Sequence, residues 1–334
     1  MALRVQRCFK IDREHRLELD KKGVGIDFGN KKISDILSLY IKLSEEFNVD
    51  AYGENNNSDI SESKEKLEQY LKEIVGLHKS CGDKINWQSL SDMKEPFEDE
   101  SNGPRKIKAE EDYENFSPTI LEKVFKFMAE KRKSNLLKKI DEAQAEDKLV
   151  LDEFKKIKEF SNEILDGNID AYFQLIDEIR PFYKLTDYGS KIEFGTNDKD
   201  SIEVEFNANS KIVIPDVIYR ENENGKSEKD NMDTAEYYDV VQDYVSSATI
   251  MIAKKTMNLL PVNKVVVHAV DNVKDYETGL YKDITILSVV FDRETLDKLN
   301  LKSMESTLVL DNFICNMRHQ KATGFRSVER ITQY

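Results

Sequence analysis

The sequence contains few cysteines and no long apolar run, and both features restrict the class of protein. Its 334 residues include only Cys8, Cys81 and Cys315, which lie far apart. An odd, scattered set does not form a disulfide framework, and such thiols are typical of a reducing compartment. No stretch approaches the ~18 apolar residues that cross a bilayer. No apolar segment of signal-peptide length follows the basic start. We therefore expect a cytoplasmic protein without a membrane partner.

The common catalytic and cofactor motifs are also missing. Gly23-Val24-Gly25 lacks the further glycine spacing and the Lys-Ser/Thr ending of phosphate-binding loops. There is no Gly-x-Ser-x-Gly elbow. A structural zinc site needs four grouped ligands, whereas His78 with Cys81 and Cys315 with His319 are two separate pairs. We expect neither a cofactor nor a metal ion.

The chain carries little positive charge relative to negative charge. Its net charge of −14 repels phosphate backbones, which disfavours nonspecific nucleic-acid binding by the whole surface. One basic stretch is the candidate exception, and it consists of Lys131, Arg132, Lys133, Lys138 and Lys139, joined by Lys123 and Lys126. Acidic neighbours dilute it, so we favour a solvated helix face.

The pattern along the chain predicts four regions of an α+β protein. Residues 1–32 are expected to form a small β-meander, because alternating segments there are separated by polar and glycine turns. Residues 33–117 are expected to contain a helix capped by Ser34 or Asp35, a second helix over 61–78 and an acidic connector over 91–117. Residues 118–167 form a long helix or a helical hairpin, and residues 168–334 form a mixed sheet covered by helices.

The apolar pattern of the third region runs from Ser117-Pro118 to Gly167. A continuous helix of that length would measure about 70 Å at 1.5 Å per residue, which exceeds one small domain. It therefore either breaks into a hairpin or projects as a coiled-coil arm that mediates oligomerisation. We favour a break near Asp141–Asp147, where the apolar stripe thins to Ala143 and Ala145.

The C-terminal region contains the clearest secondary-structure signals. The predicted helices are Asp170–Ile179, Thr234–Leu260, one that opens at Asp292-Arg293, and Leu308–Met317. The predicted strands are Lys191–Phe194, Ile202–Phe206, Ile212–Ile214, Lys264–Val270, Ile284–Phe291 and Phe325–Ile331. The apolar run of Lys264–Val270 is typical of a central strand covered on both faces.

The element order in residues 170–270 resembles the restriction-endonuclease-like core, which implies a metal-dependent nuclease. That chemistry requires an Asp on one strand and a Glu-x-Lys on the next, so that the carboxylates hold Mg²⁺ and the lysine stabilises the developing charge. Glu203 and Glu205 share one strand face, but Asn207 stands where lysine is required, and Lys211 is displaced along the chain. His268, with Asp271 close behind, is a further acid–base candidate. We favour structural roles for these residues.

The N-terminus carries a recognisable pattern: a basic first strand over residues 4–11, then Arg16-Leu17-Glu18-Leu19 and Lys22-Gly23-Val24-Gly25. It resembles a bacterial domain of unknown function. Residues 86–90, 107–111 and 286–289 are similar to segments of longer, uncharacterised bacterial proteins that carry this domain. The chain departs from the pattern by lacking further glycine-rich strand repeats after Gly29. The resemblance implies bacterial origin and assigns no activity.

These observations predict a non-enzymatic, cytosolic bacterial interaction or scaffold protein that binds another protein or self-associates. The reasons are the absence of an assembled catalytic set and the presence of a helix too long for one core. The alternative is a metal-dependent nuclease or hydrolase effector, for example one that acts in antiviral defence. The two hypotheses differ in whether Glu203, Glu205, Lys211 and His268 converge in a cleft.

Overall fold

A computed structural model describes residues 7–11, 60–224, 226–274 and 279–333. These residues belong to two compact units. We call them the sheet unit, which contains residues 7–11, 60–85 and those from 167 onward, and the helical unit, residues 86–166. The predicted meander strands beyond Ile11 and the predicted helix near Ser34 lie outside the described residues.

The strands of the described residues are as follows: β1 (Arg7–Ile11), β2 (Ile192–Thr196), β3 (Ser201–Asn207), β4 (Val217–Glu221), β5 (Ser227–Asn231), β6 (Lys264–Lys274), β7 (Tyr281–Asp292), β8 (Ile314–Met317), β9 (His319–Gln320) and β10 (Gly324–Phe325). Six of them form a sheet in the order β1-β2-β3-β6-β7-β8. The pair β3 and β6 is parallel and the other pairs are antiparallel. The predicted α+β class with a mixed sheet is therefore confirmed.

The helices, again in chain order, are α1 (Ile60–Val75), α2 (Trp87–Ser91), α3 (Pro104–Glu114), α4 (Ile120–Val124), α5 (Lys126–Asp166), α6 (Ile169–Ile179), α7 (Tyr183–Asp187), α8 (Ser210–Val213), α9 (Thr234–Leu259), α10 (Arg293–Lys298) and α11 (Ser306–Leu310). Of these, α2 to α5 form the helical unit. No helix in the described parts of the chain is long and apolar enough to span a membrane.

The core of the sheet unit lies between the central strands and α9, which packs against β6. Alternation in β3 buries Ile202, Val204 and Phe206 and turns the acidic residues to the opposite face. Asp233 caps the start of α9 by accepting a hydrogen bond from the Glu236 N–H at 2.9 Å. Local periodicity and a capping residue thus account for both the predicted helix and its position.

The C-terminal end of α9 is held by a side chain from outside the helix. Arg293, at the start of α10, donates from Nη2 to the carbonyls of Met257 at 2.9 Å and Leu260 at 2.7 Å. Its Nε donates to the Val262 carbonyl at 2.8 Å. These carbonyls lack intrahelical partners, and the cation also compensates the negative end of the helix dipole.

Three predicted elements of the C-terminal region differ from the structure. Residues 212 and 213 of the predicted strand 212–214 belong to helix α8, because the Asp271 carboxylate accepts hydrogen bonds from the Ser210 N–H and hydroxyl and fixes the start of a turn. The predicted helix 308–317 ends at Leu310, and its second half is strand β8, which gains backbone partners on β7. Of the predicted strand 325–331, only Phe325 lies in a strand.

The long helix of the helical unit is continuous over 41 residues, from Lys126 to Asp166. The break favoured near Asp141–Asp147 is therefore wrong, and the interruption lies at Phe125, between α4 and α5. Alanine has the highest helix propensity, so Ala143 and Ala145 interrupt the apolar stripe without weakening the helix. Thr119, rather than Ser117, caps α4, in a capping box with Glu122.

The reason that α5 stays intact at Asp147 is tertiary. The carboxylate of Asp147 is fully buried and accepts the Lys106 N–H at 2.9 Å, at the first turn of α3. Gly103 precedes α3 and lacks a side chain, and a Cβ there would lie 2.1 Å from Asp147 Oδ2. The connector predicted over 91–117 thus contains a helix whose N-terminus is capped by a residue of α5.

Candidate functional site

The polar residues of the sheet unit gather on the sheet face opposite the alternating apolar residues of β3. We call this the polar face. It contains Glu193 of β2, Glu203 and Glu205 of β3, His268 of β6, Thr285 and Ser288 of β7 and Asn316 of β8. Cross-strand register places Glu205 beside His268, His268 beside Ser288, and Ser288 beside Asn316. Neighbouring residues in register point to the same side of a sheet.

A chain of hydrogen bonds runs across the centre of the polar face. His268 Nε2 lies 2.9 Å from Glu203 Oε1, and its Nδ1 lies 2.9 Å from Ser288 Oγ. Ser288 Oγ in turn accepts the backbone N–H of Ile331 at 3.0 Å. Because Oγ receives that proton, its own hydroxyl can donate to Nδ1, and Nε2–H then donates to Glu203. The imidazole is thus held between a hydroxyl and a carboxylate.

A second contact links the polar face to the C-terminal part of the chain. Arg330 Nη2 lies 2.6 Å from Glu205 Oε2, in an ionic contact without the alignment of a hydrogen bond. Arg330 Nε donates to Thr285 Oγ1 at 3.0 Å. The guanidinium is thus held by one carboxylate and one hydroxyl of the sheet.

A register shift in the β6–β7 pair makes this contact possible. Thr285 and Ser288 are three residues apart and would face opposite sides of a regular strand. The register shifts between Ala269 and Val270, so that Val270 pairs with Thr285. A bulge of this kind turns an additional side chain to one face, and here both hydroxyls reach residues of the C-terminal segment.

Residues 326–333 cross the polar face without forming a strand, and we call them the strap. The Val328 N–H donates to the Thr285 carbonyl at 2.9 Å, and Asn316 Nδ2 donates to the Glu329 carbonyl at 2.9 Å. Strap and sheet together line a cavity of about 1170 Å³ that includes Glu203 and Arg330. A cavity of about 400 Å³ lies between Glu203, the β2–β3 turn and Thr332.

The structure brings together three of the four predicted catalytic candidates. Glu203, Glu205 and His268 lie on the polar face, whereas Lys211 lies on α8 with its Nζ 3.2 Å from the centroid of the Tyr281 ring. His268 and Ser288 are completely buried. In the described ranges, no three His, Cys, Asp or Glu residues are grouped so that they could hold a metal ion. The arrangement orients Glu203 and anchors the strap.

Thr285, Ser288 and Arg330 are site residues that were not predicted from the sequence. The odd spacing of the two hydroxyls within an apolar strand was the available signal for a bulge. Nothing in the local sequence around Arg330 indicates that its partner is Glu205, 125 positions earlier. Long-range pairs of this kind arise from strand order and cannot be read from periodicity.

Three of the four residues weighed as zinc ligands have other hydrogen-bond partners, among them His319, whose Nε2 lies 3.0 Å from the Tyr238 carbonyl. His78 Nδ1 lies 2.8 Å from Ser247 Oγ and its Nε2 lies 3.0 Å from the Met304 carbonyl, while burial lowers its pKa. Cys81 donates to the His78 carbonyl at 3.2 Å. Burial raises the pKa of Cys315 to about 11, which keeps this thiol protonated near neutral pH.

The predicted nucleic-acid candidates lie on the first half of α5. Arg132 Nη1 is 3.2 Å from Glu122 Oε2, and its guanidinium is 5.2 Å from the Phe116 ring centroid. Lys133 Nζ is 5.4 Å from the centroid of Tyr113. Lys131, Lys138 and Lys139 are exposed. Two of the five basic side chains thus contact the segment that precedes α5.

The same part of the helical unit exposes a group of large apolar side chains, which we call the apolar cluster. Its members and exposed fractions are Ile120 83%, Leu121 68%, Val124 71%, Phe125 50%, Phe127 67% and Met128 44%. The rings of Phe125 and Phe127 are 6.4 Å apart. By contrast, the buried residues of α5 all lie from Asp147 onward. The first half of α5 therefore contributes little to a core.

Comparison with models of known protein families, with curated proteins and with solved structures finds no match to this chain. The resemblance of its N-terminal pattern to a bacterial domain accordingly stays a prediction. A functional proposal must therefore be based on the chemistry of the polar face and of the apolar cluster.

Proposed function

We propose that this chain is a non-enzymatic interaction protein of the bacterial cytoplasm that binds another protein through the apolar cluster. The supporting observation is the exposure of six large apolar side chains within nine residues. Contiguous exposed apolar surface in a folded protein usually marks an interaction site, whereas single exposed residues do not. The cluster lies on locally ordered structure, since Thr119, Glu122 and Arg132 hold α4 beside α5.

The charges around the cluster indicate the chemistry of the partner. Residues 118–139 contain seven basic and two acidic side chains, in a chain whose net charge is −14. Two copies of this surface placed face to face would oppose like charges, which disfavours a symmetric contact. A protein with an apolar groove bordered by carboxylates complements both features, because an amphipathic helix inserts its apolar residues into such grooves.

The test is site-specific photocrosslinking in the cells that naturally contain this chain. A benzophenone amino acid replaces Leu121 in one variant and Leu149 in the other. Leu149 is a matched control, because it is 60% exposed but belongs to α5 outside the apolar cluster. We expect a discrete crosslinked product with a second protein from position 121 and a much weaker one from position 149.

Two outcomes would contradict the proposal. Equal crosslinking from both positions would show that exposure alone, and not the cluster, determines contact. A crosslink from position 121 to another segment of the same chain would show that the cluster is an internal surface. A crosslink to a second copy would identify the partner as this chain, and light scattering would then show a concentration-dependent mass.

We do not advance the nuclease or hydrolase effector as a second function. Glu203 contacts His268 and Glu205 contacts Arg330, while Lys211 lies on α8 beside Tyr281. We expect no cleavage of DNA or RNA by the purified protein with Mg²⁺ or Mn²⁺. Cleavage that disappears in Glu205→Gln would reverse this choice.

A further inference from the structure

The three carboxylates of β2 and β3 on the polar face differ in their counter-ions. Glu193 is paired with Lys10 at 3.2 Å, and Glu205 with Arg330 at 2.6 Å. Glu203 lies on the same face, and within the described part of the chain neither a lysine nor an arginine comes within ion-pair distance of it. Its side chain is only 15% exposed. A largely buried carboxylate without a cation is unfavourable unless something compensates its charge.

The histidine beside Glu203 fixes the direction of the carboxylate. The backbone N–H of Ile331 donates to Ser288 Oγ, which lies within hydrogen-bond distance of His268 Nδ1, and Nε2–H donates to Glu203 Oε1. Glu203 is therefore fixed in direction by a fully buried side chain.

Space for a ligand lies directly beside Glu203. Gly195 is its cross-strand partner, so no side chain of β2 covers the carboxylate on this face. The described residues that line the adjoining cavity of about 400 Å³ are Glu203, Asp198 and residues with hydroxyl or amide side chains beside Gly195, and none of these described residues is a lysine or an arginine. Its volume falls within the range of about 300–1,000 Å³ that is usual for small-ligand sites.

We propose that this cavity binds an organic cation, with a guanidinium or primary ammonium group donating to Glu203. The Arg330 side chain shows how the polar face accommodates such a group, since Glu205 and Thr285 hold its guanidinium two positions along the same strand. Charge-assisted hydrogen bonds to a partly buried carboxylate are stronger than neutral ones, which favours a cation over a neutral polar ligand. This site is independent of the apolar cluster.

The experiment is isothermal titration calorimetry on the full chain at low ionic strength. The probes are agmatine, which represents a free small molecule, and N-acetyl-arginine amide, which represents a side chain borne by a peptide. N-acetyl-citrulline amide is the matched neutral probe, because its ureido group has the shape of a guanidinium without the charge. We expect saturable binding of at least one cationic probe. Binding of the citrulline probe should be weaker by about tenfold or more.

Two variants test the position of the ligand. Glu203→Gln keeps an amide oxygen that accepts from His268 and removes only the charge, so the fold is retained while affinity falls by about tenfold or more. Gly195→Val fills the cavity opposite Glu203 without changing any charge and should also abolish binding. Glu294→Gln, at an exposed carboxylate paired with Lys298, is the control and should bind like the parent chain.

Each outcome decides the proposal. Binding by agmatine alone identifies a free amine or guanidine as the ligand source, and binding by N-acetyl-arginine amide identifies a peptide side chain. The proposal is wrong if neither cation binds, if the citrulline probe binds equally well, or if both Glu203→Gln and Gly195→Val bind with the affinity of the parent chain. Circular dichroism of the variants confirms that they are folded.

Discussion

The polar face of the sheet unit and the apolar cluster of the helical unit invert the usual distribution of residues in opposite ways. On the polar face, charged and polar side chains are withdrawn from water, and nearly every one has a partner within the unit. In the apolar cluster, large apolar side chains face water. Buried polar groups that are paired stabilise the fold. Exposed apolar groups contribute a favourable free energy only when another molecule covers them and removes them from water. The paired groups of the polar face therefore serve the fold, whereas the apolar cluster is the surface that we propose binds a partner.

The largest expected effect concerns a substitution on the polar face. Replacing His268 by leucine leaves Glu203 and Ser288 without their shared partner, and we expect the free energy of unfolding to fall by about 3 kcal/mol. Urea denaturation measures the change. A loss below about 1 kcal/mol would mean that the hydrogen-bond chain contributes little. Adding Ser288→Ala to the His268→Leu variant should lower the free energy of unfolding by less than Ser288→Ala lowers it in the parent chain, because the two residues are coupled.

The second prediction concerns the buried charge of the helical unit, the carboxylate of Asp147. Gly103→Ala would place a Cβ 2.1 Å from Asp147 Oδ2 and push the carboxylate away from the start of α3. We expect a loss of about 2 kcal/mol in unfolding free energy, since a buried charge then lacks its donors. Lys108→Ala, at an exposed position of α3, is the control and should change stability by less than about 0.5 kcal/mol. Equal effects would contradict the capping role of Asp147.

The third prediction concerns pH and the buried His78. Burial lowers its pKa in the folded chain below the ordinary value of 6.5, so protons bind the unfolded chain more readily. The stabilising contribution is present above that pH and is lost as the pH falls. His78→Gln should therefore show a shallower decline in unfolding free energy between pH 7.5 and 5.5 than the parent chain. An unchanged slope, with Lys79→Gln as the control, would contradict this assignment.

The smallest expected effect concerns substitutions in the apolar cluster. Leu121→Ser, Val124→Ser and Phe127→Ser should each change the unfolding free energy by less than about 0.5 kcal/mol, because these side chains make few internal contacts. Leu151→Ser, at a buried position of α5, should cost several times more. A large loss from the cluster variants would show that these residues belong to a core and are not available to a partner.

Sequence analysis predicted the elements whose signals are local. Helix α9 and strands β3, β6 and β7 were predicted to within a few residues. Apolar periodicity indicates all four elements, and Asp233 and Pro261 mark the two ends of α9. The wrong predictions concern segments whose secondary structure depends on residues distant in the sequence. Asp271 accepts hydrogen bonds at the start of α8, and the end of the predicted helix 308–317 is strand β8 because it pairs with β7. The candidate site was predicted in part, since Glu203, Glu205 and His268 were identified and Arg330 was not.

The sequence by itself determined the α+β class, the main helices and strands, and the shared face of Glu203 and Glu205, because these properties depend on spacings of two to four residues. Only the tertiary structure decided that β1 pairs with β2, some 185 positions later, and that the strap lies on the polar face. It also decided that α5 passes Asp147 without a break. These outcomes depend on which surfaces meet when the chain collapses. Burial of a charge or a backbone donor is favourable only beside a suitable partner, and that partner can lie anywhere in the sequence.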